Sequence, residues 1–258
     1  MLTAAVNSRI FCAMKTDLLT QVGYKIVQDE EQFCFGIDAV LLADFASKKI
    51  RHNSNVIDLC SGNGIIALLV CGATKAQTVT ALEIQKESCA LAEESVRLNG
   101  LQERLHIVNG DLKNAASLFE KYSFDAVVCN PPYMKASHGR ESAVNAKAIA
   151  RHEILCTLED VIKAADYLLK PNGSFFMIHR PERLGEIFVE LNRHNLEASE
   201  LRMVQPDAES APTMVLIQAK KNIKPNLKVD VPLVVYKAKG VYTDEVKSIY
   251  SAEKQETL

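Results

Sequence analysis

Short apolar runs alternating with helix-length amphipathic segments constrain this chain more than any other feature. The runs are Val56-Ile57-Asp58-Leu59, Val79-Thr80-Ala81-Leu82-Glu83, Leu105-His106-Ile107-Val108, Phe124 to Cys129 and Ser174 to His179. Each is too short for a helix, and each is bounded by a turn signal such as Ser61-Gly62-Asn63-Gly64, Asn99-Gly100 or Pro171-Asn172-Gly173. Helical patterns of about a dozen residues lie between them, for example Lys86 to Asn99 with Leu91, Ser95 and Leu98 on one face. Strand–helix alternation of this kind predicts an α/β fold with a doubly wound, mostly parallel sheet and right-handed crossovers.

The end of the pattern differs. Leu196 to Val204 and Met214 to Lys220 are strand-like, and only a loop with Pro206 and Pro212 joins them. They predict a C-terminal antiparallel β-hairpin, making a seven-stranded sheet. That arrangement resembles the Rossmann-like class I methyltransferase pattern. Upstream, Tyr24 to Phe35 reads as a small hairpin and Ile37 to Ala46 as an apolar helix. Val229 to Tyr236 reads as an extra edge strand. Residues 15–242 are read as one domain: 15–50 a hairpin and helix, 51–220 the core, 221–242 an edge segment. Residues 1–14 read as an extension or alternative start, and 243–258 as a tail.

Composition narrows the class. With 48% hydrophobic and 24% charged residues the chain is an ordinary globular sequence. Its net charge of −2 argues against a globally basic nucleic-acid binder, so a polyanion has to be held by a local patch. No apolar run approaches the roughly 20 residues that span a bilayer. The seven cysteines are scattered without a Cys-x-x-Cys pair, and the histidines show no ligand spacing. Buried thiols in a reducing, cytoplasmic compartment are expected, with no metal.

In a doubly wound sheet, ligands bind beyond the carboxyl ends of the strands. The polar residues follow that rule. Asp58 lies in the first core strand, and Gly62 and Gly64 in the turn after it, where small residues allow close backbone approach. Glu83 ends the second strand, placed to accept from two ribose hydroxyls. Asp111 follows the third, suited to an adenine amine, and Asn130 closes the fourth. Ile84 and Leu112, beside the two acids, and Cys60 in the turn complete this part of the cofactor set.

A nicotinamide dinucleotide is the rival reading of Gly62-x-Gly64, with Ala67 in the third position. Two features favour S-adenosylmethionine. Asp58-Leu59-Cys60-Ser61-Gly62-Asn63-Gly64 resembles the Asp-x-x-x-Gly-x-Gly run of methyltransferases. Asn130-Pro131-Pro132-Tyr133 stands at the end of the fourth strand, where a dehydrogenase has no use for it. The two prolines hold that turn extended and rigid. The Asn130 carbonyl and the Pro131 carbonyl then become two acceptors beside an aromatic wall, Tyr133. That trio suits a flat group with an exocyclic NH2, and is the sequence sign of methyltransferases acting on amino or amide nitrogen. Asn130, Pro131, Pro132 and Tyr133 are the expected catalytic residues.

With Phe35-Gly36-Ile37-Asp38-Ala39-Val40-Leu41-Leu42-Ala43 added, the chain resembles the bacterial tRNA1(Val) adenine-37 N6-methyltransferase family from about Lys15 to Tyr242. The resemblance implies a SAM-dependent enzyme methylating N6 of an adenine in tRNA. It also implies that Gly36 and Asp38 hold the methionine end of the cofactor. Cys60 departs from the glycine or alanine common there. Lys135, Arg140, Lys147 and Arg151, and a second run from Lys220 and Lys221, are candidate RNA contacts. Three other readings stay open. One is glutamine methylation in release factors, disfavoured by the lack of room for a helical domain before Val56. The others are guanine N2 methylation in rRNA and non-catalytic RNA binding. No membrane partner is expected, and a monomer is favoured.

Overall fold

The computed structural model describes residues 14–29, 35–132 and 156–251. β1 (Met14–Leu19) and β2 (Tyr24–Asp29) form an antiparallel hairpin in register from Met14↔Asp29 to Leu19↔Tyr24. Tyr24–Asp29 thus pairs backward with a strand that includes Met14, and most of the second arm expected up to Phe35 (residues 30–34) lies outside the described residues. Its turn is closed by Gly23 N–H on the Leu19 carbonyl, with Gly23 at φ +72°.

α1 (Ile37–Ser47) is buried on almost every side, from Ala39 through Ala43 and again at Phe45 and Ala46. β3 (Asn55–Leu59), α2 (Ile65–Ala73), β4 (Thr78–Glu83), α3 (Lys86–Leu98) and β5 (Leu105–Asn109) follow. After Asp111 a 3-10 turn leads into the short α4 (Ala115–Leu118), then β6 (Phe124–Cys129). α5 (Leu158–Leu168) opens with a capping box in which Thr157 and Asp160 satisfy each other's amides. β7 (Leu169–His179), α6 (Leu184–Arg193), β8 (Leu196–Gln205) and β9 (Met214–Lys221) complete the core. The expected Pro171-Asn172-Gly173 turn survives inside β7. Asn172 takes φ +67°, and the register with β6 jumps from Leu169 to Ser174.

The strands lie in the order β8-β9-β7-β6-β3-β4-β5. All pairs from β7 to β5 are parallel, whereas β9 runs antiparallel between β7 and β8. Alternation along each strand builds two cores, one per face. Val56, Ala126, Val128, Phe176 and Ile178 pack with α1 and α2. Ile57, Val127, Cys129, Phe175 and Met177 pack with α5 and α6. Phe175 and Phe176 are both fully buried on opposite faces, each contributing on the order of 1.5–3 kcal/mol.

The edge segment is broken. β10 (Lys228–Val229) and β11 (Leu233–Val234) each pair with β8 in parallel, separated by Pro232, which has no amide to donate. The chain then forms a small hairpin, β12 (Tyr236–Ala238) with β13 (Val241–Tyr242), and α7 (Asp244–Tyr250). The segment read as a tail therefore carries a packed helix. Val246 and Ile249 of α7 enter the α1 core, and Tyr236, Tyr242 and Tyr250 stack with centroids 5.1 and 5.6 Å apart. Among the described residues no helix is long and apolar enough to cross a membrane.

Candidate active site

Parallel strands put all their carboxyl ends on one edge, so the polar residues that end β3, β4, β5 and β6 converge there. Asp58 is 1% exposed. Its Oδ2 accepts from Ser61 Oγ at 2.6 Å, while Oδ1 has no partner in bonding geometry. Burial is the main cause that pushes the Asp58 carboxyl up to about 7; Ser61 and Ala67 oppose the shift and Glu83 adds to it.

The turn after Asp58 is built from left-handed residues. Cys60, Gly62 and Gly64 take φ +57°, +57° and +83°. A Cβ at Gly62 meets nothing within 4 Å, which leaves that backbone open to a ligand. Cys60 holds a left-handed conformation that ordinarily favours glycine.

Glu83 is anchored before any ligand arrives. Its Oε2 accepts from Gly62 N–H at 2.9 Å and its Oε1 from Gln85 N–H at 2.9 Å. Oε1 also accepts from Gln85 Nε2 at 3.3 Å, so Oε2 is the oxygen with a second lone pair for a hydroxyl. Asn109 Nδ2 donates to the carbonyls of Glu83 and Ile84, both at 3.0 Å, and so ties the ends of β4 and β5 together. Asp111 caps the next turn through Lys113 N–H at 2.9 Å. Ser61, Gln85 and Asn109 were not foreseen. Asn109 carries a signal all the same, a strand-ending Asn directly before Gly-Asp.

These residues enclose an open cleft with about 410 Å³ of empty space, lined by Cys60, Glu83, Ile84, Asp111, Leu112 and Pro132 among others. Cys60 meets Cys129 and Cys156 here. Cys60 is raised well above the usual thiol range chiefly by its contact with Cys129, Cys129 by burial, and Cys156 by its contact with Cys60. All three stay protonated, so Cys60 and Cys156 give the cleft a soft, uncharged wall, with Cys129 fully buried.

At the end of β6, Asn130 Nδ2 donates to Asp38 Oδ2 at 3.0 Å. The Asn-Pro-Pro turn is thereby joined to the first turn of α1. Gly36 caps that helix, and a Cβ there would stand 2.5 Å from Asp38 Oδ1. Gly36, Asp38 and Asn130 thus form one unit. Pro131 and Pro132 face a second cleft, with His179, Arg183, Glu186 and Glu190 on its walls. His179, 1% exposed at the end of β7, accepts from Arg180 N–H through Nδ1. Burial and Arg183 push it down to about 4, so it stands neutral beside the turn. It too was not foreseen, because a lone strand-end histidine looks like core.

The basic candidates separate. Tyr133, Lys135, Arg140, Lys147 and Arg151 lie outside the described residues. Of the second run, buried Lys221 requires correction as an RNA contact. Because β9 runs antiparallel, its last residues lie at the amino edge of the sheet, opposite the clefts: Lys220 pairs with Ser174. Alternation then sends the two side chains to opposite faces. Lys220 bonds Ser174 Oγ at 2.6 Å. Lys221, 2% exposed, pairs with Asp166 at 3.0 Å and lies over the Tyr122 ring.

The family model described as methyltransferase small domain matches residues 35–199, the span that holds every one of these strand-end residues. The chain belongs to that family. This methyltransferase is 30% identical over 224 residues to a tRNA1(Val) (adenine(37)-N6)-methyltransferase of Flavobacterium psychrophilum, covering 86% of this chain and 92% of the relative. A protein of the same name from Porphyromonas gingivalis is 27% identical over 239 residues, covering 90% and 92%. Among solved structures, a predicted O-methyltransferase from Agrobacterium tumefaciens shares the fold with TM-score 0.66 and 21% identity, over 83% of this chain and 95% of that one. The M. jannaschii TYW2 structure in complex with AdoMet superposes with TM-score 0.55 at 12% identity, over 81% and 85%.

The methyltransferase uses S-adenosylmethionine, and the residues present fit it. The bare oxygen of buried Asp58 suits a cation, the open backbone at Gly62 admits close approach, and the anchored Glu83 carboxylate suits a diol.

Proposed function

We propose that this methyltransferase acts on the exocyclic N6 amine of an adenine in tRNA, at position 37 of tRNA1(Val) as in the names of its relatives, and works as a cytoplasmic monomer. The observation that carries the reading is the Asn130–Asp38 hydrogen bond. Donation by Nδ2 turns the Asn130 amide so that Oδ1 is its accepting end. Oδ1 and the Pro131 carbonyl are then the two acceptors for the two N–H bonds of an aryl amine. An amine so held can pyramidalise and aim its lone pair, which is the main demand when the methyl group is already activated.

Bound S-adenosylmethionine supplies that activated methyl group. Glu83 would hold the ribose hydroxyls and Asp111 the adenine amine, with Ile84, Leu112 and Cys60 against the ring. Gly36, Asp38, Asp58, Gly62 and Gly64 would hold the methionine end. Tyr133 would stack on the target base, which must leave its own stack to reach the turn. Lys135, Arg140, Lys147 and Arg151 remain the candidates for phosphate contacts.

The test offers tritiated S-adenosylmethionine with total tRNA, total rRNA and release factor. Label in tRNA, located as N6-methyladenosine by nucleoside analysis, is the expected result. Label confined to release factor or to rRNA guanine would overturn the proposal.

A further inference from the structure

Two helices that flank the cleft beside Pro131 and Pro132 bring a third set of polar groups together. Glu159 stands in the first turn of α5; Glu190 and His194 stand four residues apart at the end of α6. Their ligand atoms, one from each, all lie within 4.8 Å of one another. Glu159 and Glu190 also line the cleft that Pro131 and Pro132 face.

Glu190 is the unusual member. It is only 9% exposed, between the fully buried Ile187 and Leu191. Arg193 Nη1 donates to its Oε1 at 2.7 Å, but that arginine is 67% exposed and its pairing is weakened by solvent. Oε2 is buried and accepts no hydrogen bond. A carboxylate oxygen taken out of water without a partner is destabilising unless a cation meets it.

We infer that Glu159, Glu190 and His194 form a binding site for a borderline divalent transition-metal ion of the Zn2+ type, tying the start of α5 to the last turn of α6. The donor set, one imidazole and two carboxylates, suits such an ion, and its charge balances the two acids. Carboxylate and imidazole at i and i+4 on one helix reach a common point. Metal–ligand lengths near 2.1 Å require ligand atoms roughly 3.4 Å apart, so the site closes slightly around the ion. Exposed Glu159 supplies that freedom. Three protein ligands leave one tetrahedral position for solvent. The proposal departs from the expectation of no metal, because a carboxylate–imidazole pair on one helix joined by a carboxylate from another leaves no His or Cys pair in the sequence.

The experiment titrates metal-stripped full-length protein with Co2+ and Zn2+ under reducing conditions. One equivalent of Co2+ should give weak ligand-field absorption without a thiolate charge-transfer band, which separates this site from the Cys60–Cys129–Cys156 wall. Zn2+ should raise Tm, and Mg2+ should not. Glu190→Gln and, independently, His194→Ala should each weaken Co2+ binding by at least about tenfold. Cys156→Ser should leave it unchanged. A thiolate band, wild-type Co2+ affinity in both variants, or no Zn2+ effect on Tm would overturn the assignment. His194 is half-buried at the helix end, so its variant reports even if Glu190→Gln unfolds.

Discussion

Asn130 Nδ2 and Asp38 Oδ2 meet at 3.0 Å across 92 residues of sequence. One follows the end of β6 and the other lies in the first turn of α1, so this hydrogen bond ties the proposed substrate-binding amide to the helix that precedes the core. Asp38→Ala removes the acceptor that orients Asn130. Methyl transfer should fall by about a hundredfold, as for other misplacements near 1 Å. Steady-state kinetics beside a thermal melt checks this; full activity with an unchanged melt would separate Asp38 from the amide.

Gly36→Ala acts through the same pair. Its new Cβ would stand 2.5 Å from Asp38 Oδ1, and the carboxylate has to swing away from Asn130. Activity should drop toward the Asp38→Ala level while unfolding free energy changes by about 1 kcal/mol or less. Urea denaturation and kinetics on one preparation measure both.

Asp58 makes cofactor binding depend on pH. Its carboxyl is raised from 3.8 to about 7, chiefly by burial. A raised folded-state value contributes stability to the free protein that is fully present below pH 3.8. That contribution is lost as pH rises through about 7. A cationic ligand needs the ionised form, so affinity for S-adenosylmethionine should climb between pH 5.5 and 7 by at most about tenfold per unit and then level off. Calorimetric titration follows the slope. Asp58→Asn and the uncharged ligand 5′-methylthioadenosine should both lack it.

Lys221 serves the fold. Lys221→Ala should cost about 2–3 kcal/mol, somewhat below the range for fully buried pairs because Asp166 is 25% exposed and regains water. tRNA affinity at fixed salt should shift by less than about twofold, since no phosphate contact is lost. Filter binding together with a denaturation curve decides; a large loss of affinity in a stable variant would restore Lys221 to the RNA surface.

Much of the site was legible because strand ends are written locally. Asp58, Glu83, Asp111 and Asn130 each follow an apolar run, and a parallel sheet gathers such ends on one edge whatever the details of packing. The pairing of Tyr24–Asp29 with Met14–Leu19 was not legible, because an alternating strand can pair on either side and only the tertiary register shows this partner. α7 was missed because its seven residues are too few for a periodic signal; burial of Val246 and Ile249 against α1 stabilises it.

The sequence by itself determined the layered α/β architecture, the strand-end acids, the glycine turn and the Asn-Pro-Pro turn. Those follow from hydrophobic period and backbone chemistry within a few residues. Only the tertiary structure decided which distant groups meet. It bonded Asn130 to Asp38, buried Lys221 on Asp166 at the far edge of the sheet, and set Glu159 beside Glu190 and His194. The direction of β9 and the packing of α5 on α6 control those contacts, and neither is encoded in any local run of residues.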